Sequence, residues 1–376
     1  MRWNTQTVAE PLPGSDSGLP AQPPLLSLAG ALRTVRTPEF QGITFHEVAA
    51  KSALNKVPPA SSMPFRWTVN PYRGCSHACV YCFARNTHTY LDLDAGLDFD
   101  RQLVVKVNVA EVLRAEVSKP SWDREHVALG TNTDPYQRAE GRYALMPGII
   151  RALAGSGTPF SILTKGTLLA RDIPLLKAAG ANVPISAGIS LAVLDPELQA
   201  AIEPGTPSPA ARLTLISRLR EAGLPCGVMV MPILPWLTDS EEHLDALMGK
   251  LAAAGATGVT TGALHLRPGT REWFMGWLAR TNPHLVGRYR SLYAKGAYAP
   301  AEYRSWLGKR VAAAKARHGF GRGFERDEAF GHRDATARAE RPLSGERAHR
   351  GGGHARRGGS ENPRHQESDP LQDALF

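Results

Sequence analysis

Three of the four cysteines fall within eight residues, in the stretch TVNPYRGCSHACVYCFAR covering Thr68–Arg85. Cys75, Cys79 and Cys82 are spaced C-x3-C-x2-C. A cluster this tight in a chain so poor in cysteine reads as a metal or redox centre rather than a disulfide framework. Two chemistries fit. Three thiolates can hold three irons of a [4Fe–4S] cluster and leave the fourth iron open to another ligand. Alternatively, the same thiolates with His77 or His88 would make a tetrahedral structural zinc site. Tyr81 places an aromatic ring just before the last cysteine, and Gly74 allows a close backbone approach to the cluster. Cys226 stands far away on an apolar stretch. It is a hydrogen-atom donor if it faces a reaction chamber and a small buried hydrophobe if it does not.

The elements that must position this loop alternate in a β-then-α rhythm. Strands are expected at Phe65–Val69, His126–Thr131, Phe160–Thr164, Val183–Ser190, Cys226–Met231 and Gly258–Leu264. Helices are expected at Ala78–Tyr90, Ala110–Ser118, Met146–Gly155, Leu168–Gly180, Pro209–Gly223 and Ser240–Gly255. Thr238-Asp239-Ser240-Glu241-Glu242 is a helix start, a capping side chain followed by first-turn acids. Strands separated by helices pair in parallel, and six units imply an α/β fold built as a partial parallel (β/α)6 barrel. In such barrels chemistry gathers at the carboxyl ends of the strands, which is where the cysteine loop begins. Arg271–Leu278, Pro283–Tyr293 and Pro300–His318 read as terminal helices.

The 376 residues are 43% hydrophobic and 21% charged, a balance that suits a globular core. Residues 1–31 are rich in Pro, Gly and Ser and read as a flexible segment, and 32–63 as a strap packing on the core. The barrel is expected over 64–270 and a helical extension over 271–318. Residues 319–376 hold ten Arg against ten Asp plus Glu. That Arg/Gly-rich tail reads as disordered for want of aliphatic residues. The net charge of +9 therefore sits almost wholly in the middle of the chain. It would attract nucleic acid or serve only as a solvated surface. No apolar run is long enough to span a membrane and no leader pattern opens the chain, so the expected location is cytoplasmic, without a membrane partner.

The cysteine motif at the end of strand one of a parallel barrel resembles the radical S-adenosylmethionine (SAM) superfamily. In that superfamily C-x3-C-x-aromatic-C binds the cluster, and the open iron takes the amino and carboxylate groups of SAM. The resemblance covers about residues 37–318. It is closest to the branch of spore photoproduct lyase-like proteins and, within it, to a group found among actinobacteria. The stretches that carry it are ITFHEVAAKSALNKVP, GTNTDPYQRAEGRYALMPGII, FSILTKGTLLARD, EPGTPSPAARL and GLPCGVMVMPILPWLTDSEEHL.

Residue by residue, the resemblance implies cofactor contacts. Tyr81 fills the motif's aromatic position. Lys165, in LTKGT, matches a lysine that contacts the SAM carboxylate, an apt use of a cation in a dry site. Ser190, in GISLA, matches a serine that hydrogen-bonds SAM. Strand two ends in Gly130-Thr131-Asn132-Thr133-Asp134 where many members have Gly-Gly-Glu, so Asn132 or Asp134 would accept from the SAM amino group. The lyase also has a hydrogen-returning cysteine near that segment; Thr131, Asn132 and Thr133 stand there instead, so the lyase's own reaction is not expected.

Substrate candidates are Glu203 and Arg212, around the Pro-rich loop after strand four, and His265 and Arg267 beyond strand six. The resemblance implies that an external one-electron donor of the flavodoxin or ferredoxin type feeds the [4Fe–4S] cluster. SAM would then be cleaved to a 5′-deoxyadenosyl radical that abstracts a hydrogen atom. Nucleic acid is one substrate class, as in a DNA repair lyase. A peptide or small metabolite is the alternative, and a non-enzymatic RNA-binding metal protein using the Arg/Gly tail is a third reading.

Overall fold

The computed structural model describes residues 30–59, 61 and 63–321. The segment expected to be flexible and the Arg/Gly tail, with the RNA-binding reading attached to it, lie outside these residues except for their inner ends.

Among the described residues eleven strands form two sheets. They are β1 Ala31–Val35, β2 Thr44–Val48, β3 Leu54–Lys56, β4 Trp67–Val69, β5 Tyr72–Arg73, β6 Gln102–Lys106, β7 Val127–Leu129, β8 Phe160–Thr164, β9 Ile185–Ser190, β10 Cys226–Ile233 and β11 Gly258–Ala263. The larger sheet runs β11-β10-β9-β8-β7-β4-β3. From β4 to β11 every neighbouring pair is parallel, and β3 closes the β4 edge in antiparallel fashion. These are the six expected strands, with ends moved by a few residues. β11 and β4 do not pair, so the barrel stays open on one side.

The crossover helices follow from caps and apolar spacing. Ser208 and Ser240 accept from the backbone amides of Ala211 and His243, and Asp195 from Glu197 and Leu198. Pro196 and Pro209 sit in the first turn, where the missing amide is harmless. The helix Met146–Gly155 buries Ile149, Ile150 and Leu153, and Glu241–Ala253 buries Leu244, Leu247, Met248 and Leu251. Such stripes hold helices on a sheet by removing apolar area from water. Beyond β11 the helices Thr270–Thr281, Val286–Leu292 and Ala301–Arg317 complete the described chain.

Two expectations need correction. The helix expected over Ala78–Tyr90 is an irregular loop followed by a 3-10 stretch, Phe83–Leu91. The backbone turns left-handed at Ala78 (φ 53°), and the Thr87 and Thr89 hydroxyls bond back to the carbonyls of Ala84 and Asn86. These side chains compete with the helical ladder. The second sheet, β1-β2-β6-β5, was not anticipated. β2 pairs with β1 in antiparallel and with β6 in parallel fashion. All five residues of β2 are buried. Glu47 accepts from Arg33 (2.6 Å) and from the Tyr143 hydroxyl (3.0 Å), and His46 Nε2 meets Gln102 (2.8 Å).

Phe45 is fully buried, with edge contacts to Phe40 (5.0 Å) and Tyr143 (5.4 Å). Phe45→Ala is expected to lower unfolding free energy by about 3–5 kcal/mol, read by urea titration. A loss under about 1 kcal/mol would mean that the second sheet is not integral to the core.

Candidate active site at the carboxyl ends of the strands

The chain leaves β4 at Asn70-Pro71, makes the short strand β5 and enters the cysteine loop at Gly74. This glycine lies at φ 77°, where a side chain would meet Leu103 and the carbonyls of Phe99 and Gln102. Its close approach is to β6 and the short helix Leu97–Arg101 before it. Cys75 and Cys79 are buried, Cys82 is half-buried, and none is in a disulfide.

A loop without regular structure must find partners for its backbone from elsewhere. Gln137, fully buried, accepts from Ser76 N (2.8 Å) and donates to Gly74 O (3.1 Å). Cys75 N bonds Phe99 O, and Val80 N bonds Ile202 O. The Arg85 guanidinium donates twice to Cys79 O, pairs with Asp100 at 2.8 Å, and lies against Phe99 and Trp273. Thr270 Oγ1 donates to Cys82 O (2.9 Å). Gly205 donates to His77 O, and a Cβ there would lie 1.9 Å from Ser76 O. The Pro-rich loop therefore clamps the cysteine loop through a position that only glycine fits.

The residues singled out for SAM gather beside this loop. Lys165 Nζ donates to Ser190 Oγ (2.9 Å) and stands 5.8 Å from the centroid of the Tyr81 ring. Burial alone would lower the Lys165 pKa, but Cys79 and Glu203 outweigh it and raise it. The Tyr81 hydroxyl donates to Glu203. Glu203 pairs with Arg212 at 2.6 Å, and Arg212 also donates to Ser190 O (3.0 Å). Glu203 and Arg212 are 1% and 0% exposed, so they brace Tyr81 and Ser190 from behind rather than wall an open pocket.

Asp134 and Asn132 part company. The Asp134 carboxylate accepts from Tyr136 N, Thr164 Oγ1 and Lys165 N at 2.5–2.9 Å and faces His77 Nδ1 at 3.3 Å. Burial would raise its pKa, yet His77 holds it at about 2. Burial would likewise lower His77, but Asp134 and Cys75 lift it to about 10. Asp134 is thus committed to holding Lys165 and His77. Asn132 Oδ1 has no partner, and neither do Thr131 Oγ1, Asn70 Oδ1 and Ser76 Oγ, all buried in the segments that follow β4 and β7. Buried polar atoms are normally paired, so this group fits a polar ligand seated beside the thiols.

Burial pushes the Cys79 thiol up, and the Cys82 thiol to about 11 against the pull of Arg85. These thiols are therefore protonated near neutrality. Among the described residues no three His, Cys, Asp or Glu side chains are arranged to hold a single metal ion. Of the two histidines of the zinc alternative, His77 lies between Asp134 and Cys75, and His88 keeps a buried Nδ1 without a partner. His77 faces Asp134, and His88 Nε2 bonds Gln102 O (2.9 Å) with its ring against Phe99.

Cys226 lies apart. It opens β10, whereas the residues above gather where strands end, so a full strand separates it from the carboxyl edge at Ile233. It is fully buried, and burial pushes its thiol to about 12. That placement corrects the hydrogen-donor expectation. His265 and Arg267 sit at the outer rim: the His265 ring lies 6.1 Å from Phe83 and stacks on Tyr298, whose hydroxyl Arg267 approaches at 3.3 Å. Arg85, Gln137 and the His77–Asp134 pair were missed by sequence reasoning. Only the position of Arg85, three residues past the last cysteine, offered a signal.

The profile of the radical SAM superfamily matches residues 69–248, from the end of β4 through the cysteine loop into the helix after β10. The chain belongs to that superfamily and is a radical enzyme of its fold. Uncharacterized proteins of Mycobacterium tuberculosis and Mycobacterium bovis are 64% identical to it over 319 residues, covering 85% of this chain and 93% of theirs. An uncharacterized protein of Methanocaldococcus jannaschii is 27% identical over 197 residues, 52% of this chain and 70% of its own. Among solved structures, spore photoproduct lyase complexed with dinucleoside spore photoproduct superposes with a TM-score of 0.57 at 16% identity, over 74% of this chain and 80% of the lyase. At that identity the likeness is one of fold. Among the described residues no helix is long and apolar enough to cross a membrane.

Gly205→Ala is expected to displace the loop at Ser76, so that anaerobic reconstitution yields a protein depleted in iron while its far-ultraviolet circular dichroism is unchanged. Wild-type iron content in this variant would remove the clamp from the account. His88 is held down to about 4, chiefly by burial. The unfolded chain therefore takes up a proton that the folded chain refuses between about pH 6.5 and 4. Stability is expected to fall as pH drops through that window, by at most about 1.4 kcal/mol per unit from this residue. His88→Gln should flatten the slope in urea titrations run from pH 7 to 4.

Proposed function

We propose that this enzyme holds a [4Fe–4S] cluster on Cys75, Cys79 and Cys82, binds SAM beside it, and acts on nucleic acid. The observation that carries the reading is the juxtaposition of three free thiols with a half-buried ammonium, Lys165, and an unpartnered buried acceptor, Asn132 Oδ1. When bound, the cluster supplies an electron to SAM and thereby a 5′-deoxyadenosyl radical for hydrogen abstraction.

The chain's own residues do the rest. Lys165, oriented by Ser190, would offer its charge to the SAM carboxylate. Asn132 Oδ1, buried without a partner, would accept from the SAM amino group, the part played elsewhere in the superfamily by a glutamate. Asp134 acts one step back, tying the Lys165 backbone and His77 to the end of β7. Glu203 and Arg212 hold Tyr81 and Ser190 in place. An external one-electron donor is required, since the enzyme carries out a reductive step. The substrate class rests on the lyase-like fold and on the positive charge of the chain. A cysteine donor at the lyase's position is missing, so the fate of the substrate radical differs from that in the lyase.

Anaerobic reconstitution with iron and sulfide, followed by SAM and dithionite, tests the proposal. About four irons per chain and 5′-deoxyadenosine are expected from the wild type, with neither from Cys79→Ala. Lys165→Met should keep its iron but raise the KM for SAM by about tenfold or more, because the carboxylate then has no charged donor to meet it. Zinc in place of iron, or an intact cluster that yields no nucleoside, would overturn the reading.

A further inference from the structure

The chain beyond β11 is chemically unlike the barrel. Residues 264–321 contain eleven Lys and Arg but only two acids, Glu272 and Glu302. This one segment thus equals the net charge of the entire chain, and the remainder sums to zero. Arg280, Arg288, Arg290, Lys295, Arg304 and Lys309 are all exposed. So concentrated a field of one sign repels itself and is matched by a polyanion.

An aromatic stack runs through the same segment from the reaction site outward. Phe83 directly follows Cys82, His265 lies 6.1 Å from it, and Tyr298 stacks on His265 at 5.7 Å with 26° between the rings. Tyr298 is 59% exposed although one face is covered by His265. Its position is fixed from below. Leu266 N bonds Ala297 O, the Tyr293 hydroxyl bonds Leu264 O, and Arg271 donates to the carbonyls of Tyr293 and Gly296. Arg267 reaches the Tyr298 hydroxyl, and Lys295 and Arg304 flank the ring in the chain. A rigid, exposed ring inside a basic field combines the two requirements for holding single-stranded nucleic acid, a stacking platform and an electrostatic funnel.

We infer that residues 264–321 form the docking surface for a single nucleic-acid strand, one base of which stacks on the open face of Tyr298. This deepens the proposed function by naming a substrate class for the same site, and it rests on that reading only in taking Phe83 as the edge of the reaction chamber. Bases inside a duplex are stacked on both faces and offer none to Tyr298. An acidic peptide would answer the charge but leave the ring unused.

The test is fluorescence anisotropy of a fluorescein-labelled 12-nucleotide single strand of mixed sequence with the full chain. Tyr298→Ala should weaken binding about tenfold, and Tyr298→Phe should restore it. The double variant Lys295→Glu, Arg304→Glu should bind more weakly and lower the slope of log K against log salt by about 0.7 for each phosphate that is no longer neutralised. A blunt-ended duplex and a poly-glutamate peptide should bind less well than the strand. Absence of binding, wild-type affinity in Tyr298→Ala, or equal affinity for poly-glutamate would each overturn the inference. Anisotropy needs neither iron nor SAM. A chain that binds the strand but never yields 5′-deoxyadenosine would therefore sink the proposed function and leave the docking surface standing, whereas one that yields the nucleoside without binding the strand would sink the docking surface and leave the cluster and SAM parts of the proposal standing.

Discussion

The structure depends on how an irregular loop satisfies its own backbone. Between Gly74 and Phe83 the chain has neither ladder nor helix to pair its amides and carbonyls, and it is buried, so water cannot do so. Two amides, Ala78 and Cys82, turn back onto Cys75 and Cys79, and the other partners are spread along the chain: Phe99 before β6, Gln137 beyond β7, Ile202 and Gly205 beyond β9, Thr270 beyond β11, and Arg85 in the loop's own extension. The barrel's role is to bring these segments to one edge. Its strands align crossovers that share nothing in sequence but all end at the same level of the fold.

The electrostatics obey the same constraint. Arg85, Arg212, Glu140 and Glu203 are almost wholly buried, which a charge tolerates only with a partner and further hydrogen bonds. Arg85 has Asp100, Arg212 has Glu203, and Glu140 has Arg171 with the Tyr72 hydroxyl. Lys165 differs: its ammonium donates to a neutral hydroxyl, Ser190, and its charge is balanced at longer range by Glu203. A cation held this way retains donors for an incoming anion. That separates it from the arginines around it, whose donors are spent on carboxylates and carbonyls.

Much of this was legible in the residues. The six parallel strands announce themselves as short apolar runs between helical periods, and the cysteine spacing marks the loop whatever surrounds it. Local pattern failed where long-range pairing decided the outcome. β2 and β6 lie 56 residues apart at His46 and Gln102, and nothing in either short run names its partner. The apolar and aromatic residues of Ala78–Tyr90 suit a helix, but the loop's tertiary bonds override that preference. Glu203 and Arg212 look like a pair available to substrate until their burial is known, because residue type does not tell a braced ion pair from an open one. Cys226 could be placed on a strand, but residue type could not say how far it would lie from that strand's active end.

The separations along the chain carry a further consequence. Partners of the cysteine loop lie 61, 122 and 188 residues downstream, at Gln137, Glu203 and Thr270. The three thiols are synthesised early, but their setting is complete only after Thr270 has left the ribosome, many seconds later at ordinary elongation rates. Contacts this distant in sequence also form late in folding, once the cost of closing long loops has been met. The setting of the three thiols is therefore a property of the finished chain: until Thr270 is in place, Cys75, Cys79 and Cys82 are loose thiols on a nascent polypeptide.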